Sequence, residues 1–272
     1  METVQANFSA KDVMALRQKT GLGMMDCKKA LEACAGDMAA AEEWLRAKLK
    51  GKMDKRTERP AAEGRIGIVI DGSSAAIVEL RTETDFTARN DQFIAAVDDI
   101  AKAALTLPAG PITESGQIDK LVDNIRITTG ENASFARGEK IEGGAFGSYV
   151  HHNGQKAALL QIEGHADNEI LTGVCMHIVA HVPPPIAIDG NDVPAETIDR
   201  IKTQALQDAK ESGKPDEIAA KITEGKVRKH LQQTTLLNQM YIKDPSGKTP
   251  VKSILPQDVT IKRFVRYVVG ID

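Results

Sequence analysis

Apolar residues in the first fifty positions recur at helical spacing in three short runs separated by glycine-containing breaks. Phe8-Ser9-Ala10-Lys11-Asp12 has the form of a helix start, an apolar residue ahead of a serine cap with an acid three positions on. Val13 and Leu16 then fall at helical spacing, and Thr20-Gly21-Leu22-Gly23 ends the run. A second helix is expected from about Met24 to Cys34, with Cys27, Ala30 and Leu31 on one face. Ala35-Gly36-Asp37 breaks it, and Asp37 can cap a third helix whose face is Ala40, Ala41, Trp44 and Leu45. Three short helices over residues 1–50 make a small domain with a marginal core, the size of a docking module.

After residue 63 the pattern changes to short β-type runs, and it repeats. Gly64-Arg65-Ile66-Gly67-Ile68-Val69-Ile70 is echoed by Gly144-Ala145-Phe146-Gly147-Ser148-Tyr149-Val150. Each is followed by a turn, Asp71-Gly72-Ser73-Ser74 or His151-His152-Asn153-Gly154-Gln155, and then by a second apolar run, 75–80 or 157–162. Apolar β-rich runs around Gly/Asn/Asp turns predict hairpins. Each hairpin precedes a predicted helix, Asp91 to Leu105 and about Asn168 to His181. Two copies of hairpin-then-helix predict two related subdomains, residues 63–142 and 143–272, and an α+β fold. Between them, Ile118, Leu121, Val122 and Ile125 predict a helix entering a strand near Ile127. Pro183-Pro184-Pro185 ends the second copy's helix.

Residues 194–233 read as a helical hairpin. Ile198, Ile201 and Ala205 form one stripe, Ser212-Gly213-Lys214-Pro215 the turn, and Ile218, Ile222 and Leu231 the second stripe. A narrow stripe on otherwise charged helices predicts an arm projecting from the body. Residues 259–269 alternate apolar and polar, which predicts a strand returning to the second subdomain's sheet.

Composition narrows the function classes. The 272 residues carry a formal charge of −3, so nothing global suggests a nucleic-acid binder. Residues 46–59 hold seven basic and two acidic side chains, but no aromatic is interleaved for base stacking. A solvated linker over 51–62 is the preferred reading. Three cysteines without framework spacing, no basic or apolar leader and no apolar run near about 18 residues fit a cytoplasmic protein.

Assembled chemistry is scarce. His177 and His181 lie one helical turn apart with Cys175 nearby, but a zinc site needs three or four ligands and a supporting shell. The Glu of a zinc-protease helix is missing, so packing or interface histidines are preferred to a zinc hydrolase. Cys27 precedes two lysines, which could activate it, yet it lies on an apolar helix face. Gly21-Leu22-Gly23 and Gly143-Gly144 lack the context of phosphate loops. The residues favour a binding protein without cofactor or metal over an enzyme. One cluster remains, Arg81-Thr82-Glu83-Thr84-Asp85-Phe86-Thr87-Ala88-Arg89-Asn90, at a strand–loop–helix junction. Composition alone prefers a plain account in which Asp85 or Asn90 caps the next helix and Phe86 packs beneath it. The matching junction of the second copy, Glu163-Gly164-His165-Ala166-Asp167, has no aromatic, so the subdomain fold does not itself require Phe86.

Residues 20–31, Thr-Gly-Leu-Gly-Met-Met-Asp-Cys-Lys-Lys-Ala-Leu, resemble the N-terminal signature of the elongation factor Ts family. Residues 84–90, Thr-Asp-Phe-Thr-Ala-Arg-Asn, resemble that family's second signature. Gly147-Ser148-Tyr149, Met176-His177 and Ser212-Gly213-Lys214-Pro215 follow in the family's order. The resemblance implies a ubiquitin-associated-like N-terminal domain, a core of two subdomains and a helical arm. It implies elongation factor Tu as partner and guanine-nucleotide exchange as activity. By the same resemblance Thr84, Asp85, Phe86 and Thr87 would disturb the partner's Mg²⁺ site, with Phe86 as the wedge. Leu16, Met24 and Met25 would dock the N-terminal domain, and His151 and His177 would face the partner from the second subdomain.

Departures from the family pattern are Thr87 where valine is common and Arg89 where lysine is frequent. After Val268-Val269-Gly270-Ile271-Asp272 some members carry a further helix that reaches the GTPase, a contact not expected here. The arm leaves open a homodimer or a secondary contact. The competing reading is a ubiquitin-associated-like adaptor that binds a partner without releasing nucleotide.

Overall fold

The computed structural model describes residues 8–53, 57–113 and 115–271, the side chains of 50–53 excepted. Helix α1 (Ala10–Thr20) starts with a capping box: the Ser9 amide donates to Asp12 Oδ2 at 2.7 Å and the Asp12 amide donates to Ser9 Oγ at 3.3 Å. Gly21 ends it in the left-handed region, φ 71°. Helix α2 spans Met24–Ala33, and α3 spans Met38–Met53, with Asp37 Oδ1 accepting the Ala39 and Ala40 amides. The basic segment expected as linker therefore begins inside α3. Leu16, Cys27, Ala30, Leu31, Ala41 and Leu45 form the core of this domain.

The first hairpin is β1 (Glu63–Asp71) and β2 (Ser74–Thr82). After it come the one-turn α4 (Asp85–Ala88), α5 (Asp91–Leu105), β3 (Gly110–Ile112), α6 (Gly116–Thr129) and β4 (Ala133–Glu142). The sheet order is β1-β2-β4-β3, antiparallel at each pairing. Ile127, expected at a strand entrance, lies in the last turn of α6, and it packs against the N-terminal domain's core rather than the sheet. The strand begins six residues later, at Ala133.

The second unit is β5 (Ala145–Val150), β6 (Lys156–Glu163), α7 (Asn168–Ala180) and β7 (Thr260–Val268), with sheet order β5-β6-β7. Both hairpins, both following helices and the returning strand thus stand where the pattern put them. Helix α5 crosses β1 so closely at Gly67 that an added Cβ would lie 2.7 Å from Val97 Cγ1. Gly147, the repeat-equivalent residue, has Leu171 Cβ of α7 at 2.5 Å from the same hypothetical atom. The shared glycine is what a close helix–sheet crossing requires, and it explains why the two copies read alike.

Strands β2 and β6 are buried on both faces, which is why they read as nearly continuous apolar runs. Val78 and Leu80 pack with Phe93, Val97 and Ile100 of α5 and with Ile118, Val122 and Ile125 of α6. Leu160 and Ile162 pack with Leu171, Val174 and Ile178 of α7. The opposite faces of the two sheets meet, placing Ile66, Ile77 and Ile141 against Phe146, Leu159, Val265 and Tyr267.

The arm is α8 (Ala195–Glu211) and α9 (Asp216–Thr234). Its seam is made by small residues: Ala205, Ala209, Ala219 and Thr223 are buried. Ile218, expected on that stripe, is exposed instead, because close approach of two helices selects small side chains over large ones.

Candidate functional site

Strand β2 ends at Thr82, and the chain leaves the sheet through Glu83 into α4. Thr84 is the N-cap of that turn, extended at φ −125° and ψ 153°, with its Oγ1 accepting the Thr87 amide at 3.3 Å. Asp85 pairs with Arg89 across one turn at 3.1 Å. Asn90 Oδ1 then accepts the Gln92 amide at 2.8 Å and caps α5. Asn90 is the cap, but Phe86 does not pack beneath the helix; the ring is 83% exposed, and of α4 only Ala88 is buried. Burying such a ring is worth about 1.5–3 kcal/mol, and in the free protein that gain is unrealised.

The turn is held from outside by Glu131, a residue that sequence reasoning missed. Its Oε1 accepts the Thr84 hydroxyl at 2.7 Å, and its Oε2 accepts the Thr84 amide and the Thr82 hydroxyl, each at 3.1 Å. Burial opposes ionisation of this carboxyl, but the hydrogen bonds from Thr84, Thr87 and Thr82 outweigh it. Its pKa lies below the ordinary carboxylate value. An isolated acid 47 positions from Thr84 in sequence gives no local signal; only the pairing of β2 with β4 brings the two together.

The N-terminal domain offers a second surface. Met24 and Met25 are exposed and, with Met14, Phe8, Val13 and Lys28, line a groove of about 500 Å³. Leu16, expected beside them, is fully buried in the domain core. It supports the surface from beneath and is not itself exposed on it. Its helical spacing from Val13 already placed it on the inward face.

His177 is likewise fully buried. The Ile242 amide donates to its Nδ1 at 3.1 Å, so the ring proton sits on Nε2, which donates to Gln239 Oε1 at 3.0 Å. Desolvation lowers its pKa to about 4; the Gln239 bond opposes this and nearby His181 adds to it. His177 pins α7 to the segment before β7 and presents no surface to solvent, contrary to the exposed position expected of it. The zinc alternative also fails on geometry. Both nitrogens of His177 are engaged, His181 Nδ1 lies 2.8 Å from the Pro183 carbonyl, and among the described residues no three His, Cys, Asp or Glu side chains converge as metal ligands. His151, in the β5–β6 turn, is half-buried with Nδ1 3.0 Å from the Tyr149 hydroxyl.

Fold and site together define an α+β protein with an appended helical domain, two packed sheets, an arm and an exposed aromatic on a clamped turn. Among the described residues no helix is long and apolar enough to cross a membrane. The family model described as "Elongation factor TS" matches residues 83–271, and one described as "Elongation factor Ts, mitochondrial, N-terminal" matches residues 2–52. The chain is 41% identical to elongation factor Ts of Pediococcus pentosaceus over 275 residues, covering 97% of this chain and 93% of that one. It is 38% identical to elongation factor Ts of Paracidovorax citrulli over 281 residues (97% and 91%), and 34% identical to that of Zymomonas mobilis over 288 residues (97% and 93%). The protein is by class a translation elongation factor. The chain belongs to the elongation factor Ts family.

Proposed function

We propose that this chain is a guanine-nucleotide exchange factor for elongation factor Tu, acting in the cytoplasm without covalent chemistry. A nucleotide held at nanomolar affinity sits in a well about 12 kcal/mol deep. Speeding its release by about 10³–10⁵ removes about 4–7 kcal/mol from the dissociation barrier. That free energy has to come from a protein–protein interface better made in the nucleotide-free state, and linkage makes the antagonism reciprocal. Magnesium is a suitable target, because its octahedral shell tolerates little displacement of its few protein ligands.

The observation that carries this reading is Phe86, a large apolar ring held in solvent on a one-turn helix capped by Thr84. In the proposal Phe86 enters a pocket beside the GTPase's Mg²⁺ site, with Asp85 and Thr87 shaping the turn that delivers it. The Met24–Met25 groove supplies adaptable docking area, and His151 adds a contact from the second unit.

Stopped-flow release of a fluorescent GDP from elongation factor Tu is the direct test. Acceleration of about 10³-fold or more at saturating factor is expected. Complex formation without acceleration would replace this reading with that of an adaptor.

A further inference from the structure

We infer that Glu131 is a positioning residue: its carboxylate builds the cap of α4 and thereby holds Phe86 in its outward pose. The positioning half stands on geometry alone, and the functional half rests on the exchange reading above.

A four-residue helix cannot sustain itself, since the first turn fixes several dihedrals for one hydrogen bond. Only Ala88 of α4 is buried, so side-chain packing contributes little. The Asp85–Arg89 pair is exposed and adds little, as ion pairs open to solvent do; the larger remaining contribution is the cap, and Glu131 determines its polarity. A carboxylate only accepts. By accepting a hydrogen bond from the Thr84 hydroxyl on Oε1 it leaves the lone pairs of Thr84 Oγ1 to accept the Thr87 amide. By taking the Thr84 amide and Thr82 hydroxyl on Oε2 it fixes the chain on both sides of Glu83.

Glu131 is itself braced. It follows Gly130, which closes α6 at φ 72°, and its amide donates to Thr129 Oγ1 at 3.3 Å. Glu83 reciprocates from the α4 side, its Oε1 accepting the Asn132 amide at 2.6 Å. Asn132 Nδ2 in turn donates to the Arg59 carbonyl at 2.7 Å. Two carboxylates thus cross between the 82–84 segment and the 130–132 turn, Glu131 accepting the Thr84 amide and Glu83 the Asn132 amide.

The test is a double-mutant cycle in the full-length chain, joining Glu131→Ala to Phe86→Ala. Hydrogen exchange of the peptide covering 84–90 is followed in parallel. Glu131→Ala is expected to lower the maximal acceleration of GDP release about tenfold, with little change in the factor concentration giving half of that maximum. It should add nothing in the Phe86→Ala background, and amides of residues 87–89 should exchange faster while α5 stays protected. Glu131→Gln, which keeps an acceptor but adds a donor among donors, should fall between; it carries the cycle if the alanine variant does not fold. Unchanged protection of 87–89 would overturn the positioning role. An equal loss in the Phe86→Ala background would overturn the link through Phe86. If Phe86→Ala itself exchanges like wild type, the wedge reading fails, while faster exchange of 87–89 in Glu131→Ala would still uphold Glu131 as the residue that sets α4.

Discussion

A buried residue and an exposed one in the same family signature have different physical duties, and Phe86 lies at the exposed extreme. Its ring makes no core contact, so Phe86→Ala should leave stability within about 0.5 kcal/mol of wild type. The same change should cut accelerated GDP release at least tenfold, on the order of 1.4 kcal/mol or more of lost barrier reduction. Thermal unfolding and stopped-flow release on one preparation separate the two effects, and a large fall in melting temperature would show that the ring is structural after all. That the fold does not require a buried ring at Phe86 was readable from the repeat, whose matching junction at 163–167 has no aromatic, and the exposure agrees with it. Leu16 and His177 were misplaced because a motif match carries no information about which way a side chain points. For Leu16 it is the helical period, which sets it on one face with Val13, that agrees with its burial.

At the scale of elements, hairpins and the helices after them were readable because turns are local and β2 and β6 are apolar throughout. Strand β4 was not. Its sequence, Ala-Ser-Phe-Ala-Arg-Gly-Glu-Lys-Ile-Glu, buries Glu139 and Lys140, so no clean alternation marks it. Lys140 is tied down by a tertiary partner, the Leu107 carbonyl at 2.8 Å, and by Glu142 two residues on in the same strand at 2.7 Å. Its place between β2 and β3 comes from pairing, which periodicity does not report. His177 raises a similar point for α7, whose attachment to residues 239–242 depends on a neutral imidazole. Folding lowers its pKa from the ordinary 6.5 to about 4, chiefly by desolvation. The unfolded chain therefore takes up the proton first as pH falls. The contribution is whole above pH 6.5 and is lost progressively on acidification toward pH 4. Urea midpoints measured across that window should fall more steeply for wild type than for His177→Gln, although the variant should be the less stable of the two at pH 7. Parallel slopes would mean that His177 does not titrate on unfolding.

For the whole molecule, the question is what fixes the two sheets to one another. The apolar contact of Ile77 and Phe146 with Leu159 and Val265 is non-directional and does not by itself set a register. Glu79 of β2 lies fully buried at this contact and supplies direction. It accepts from Arg81 Nε at 2.7 Å, from Arg137 Nε of β4 at 2.8 Å and from the Gly270 amide, just beyond β7, at 3.0 Å. Arg137 continues to the Val268 carbonyl at 3.1 Å and to that of Ile271, with its guanidinium 4.2 Å from the Tyr267 ring. One carboxylate thus joins two strands of the first sheet to the end of the last strand of the second. Removing it leaves Arg137 beside Tyr267 without its counter-charge and the Gly270 amide without its acceptor. Stranding a buried charge costs about 3–5 kcal/mol; Arg137 is a quarter exposed and water can reach it, so Glu79→Ala should cost about 3 kcal/mol, the low end of that range. Urea unfolding should then show an earlier midpoint with an unchanged slope if both sheets still unfold together. If the transition instead splits in two, the Glu79 cluster is what makes them cooperative. A loss below about 1 kcal/mol, the value of an ordinary surface ion pair, would mean that the apolar contact alone holds the sheets in register.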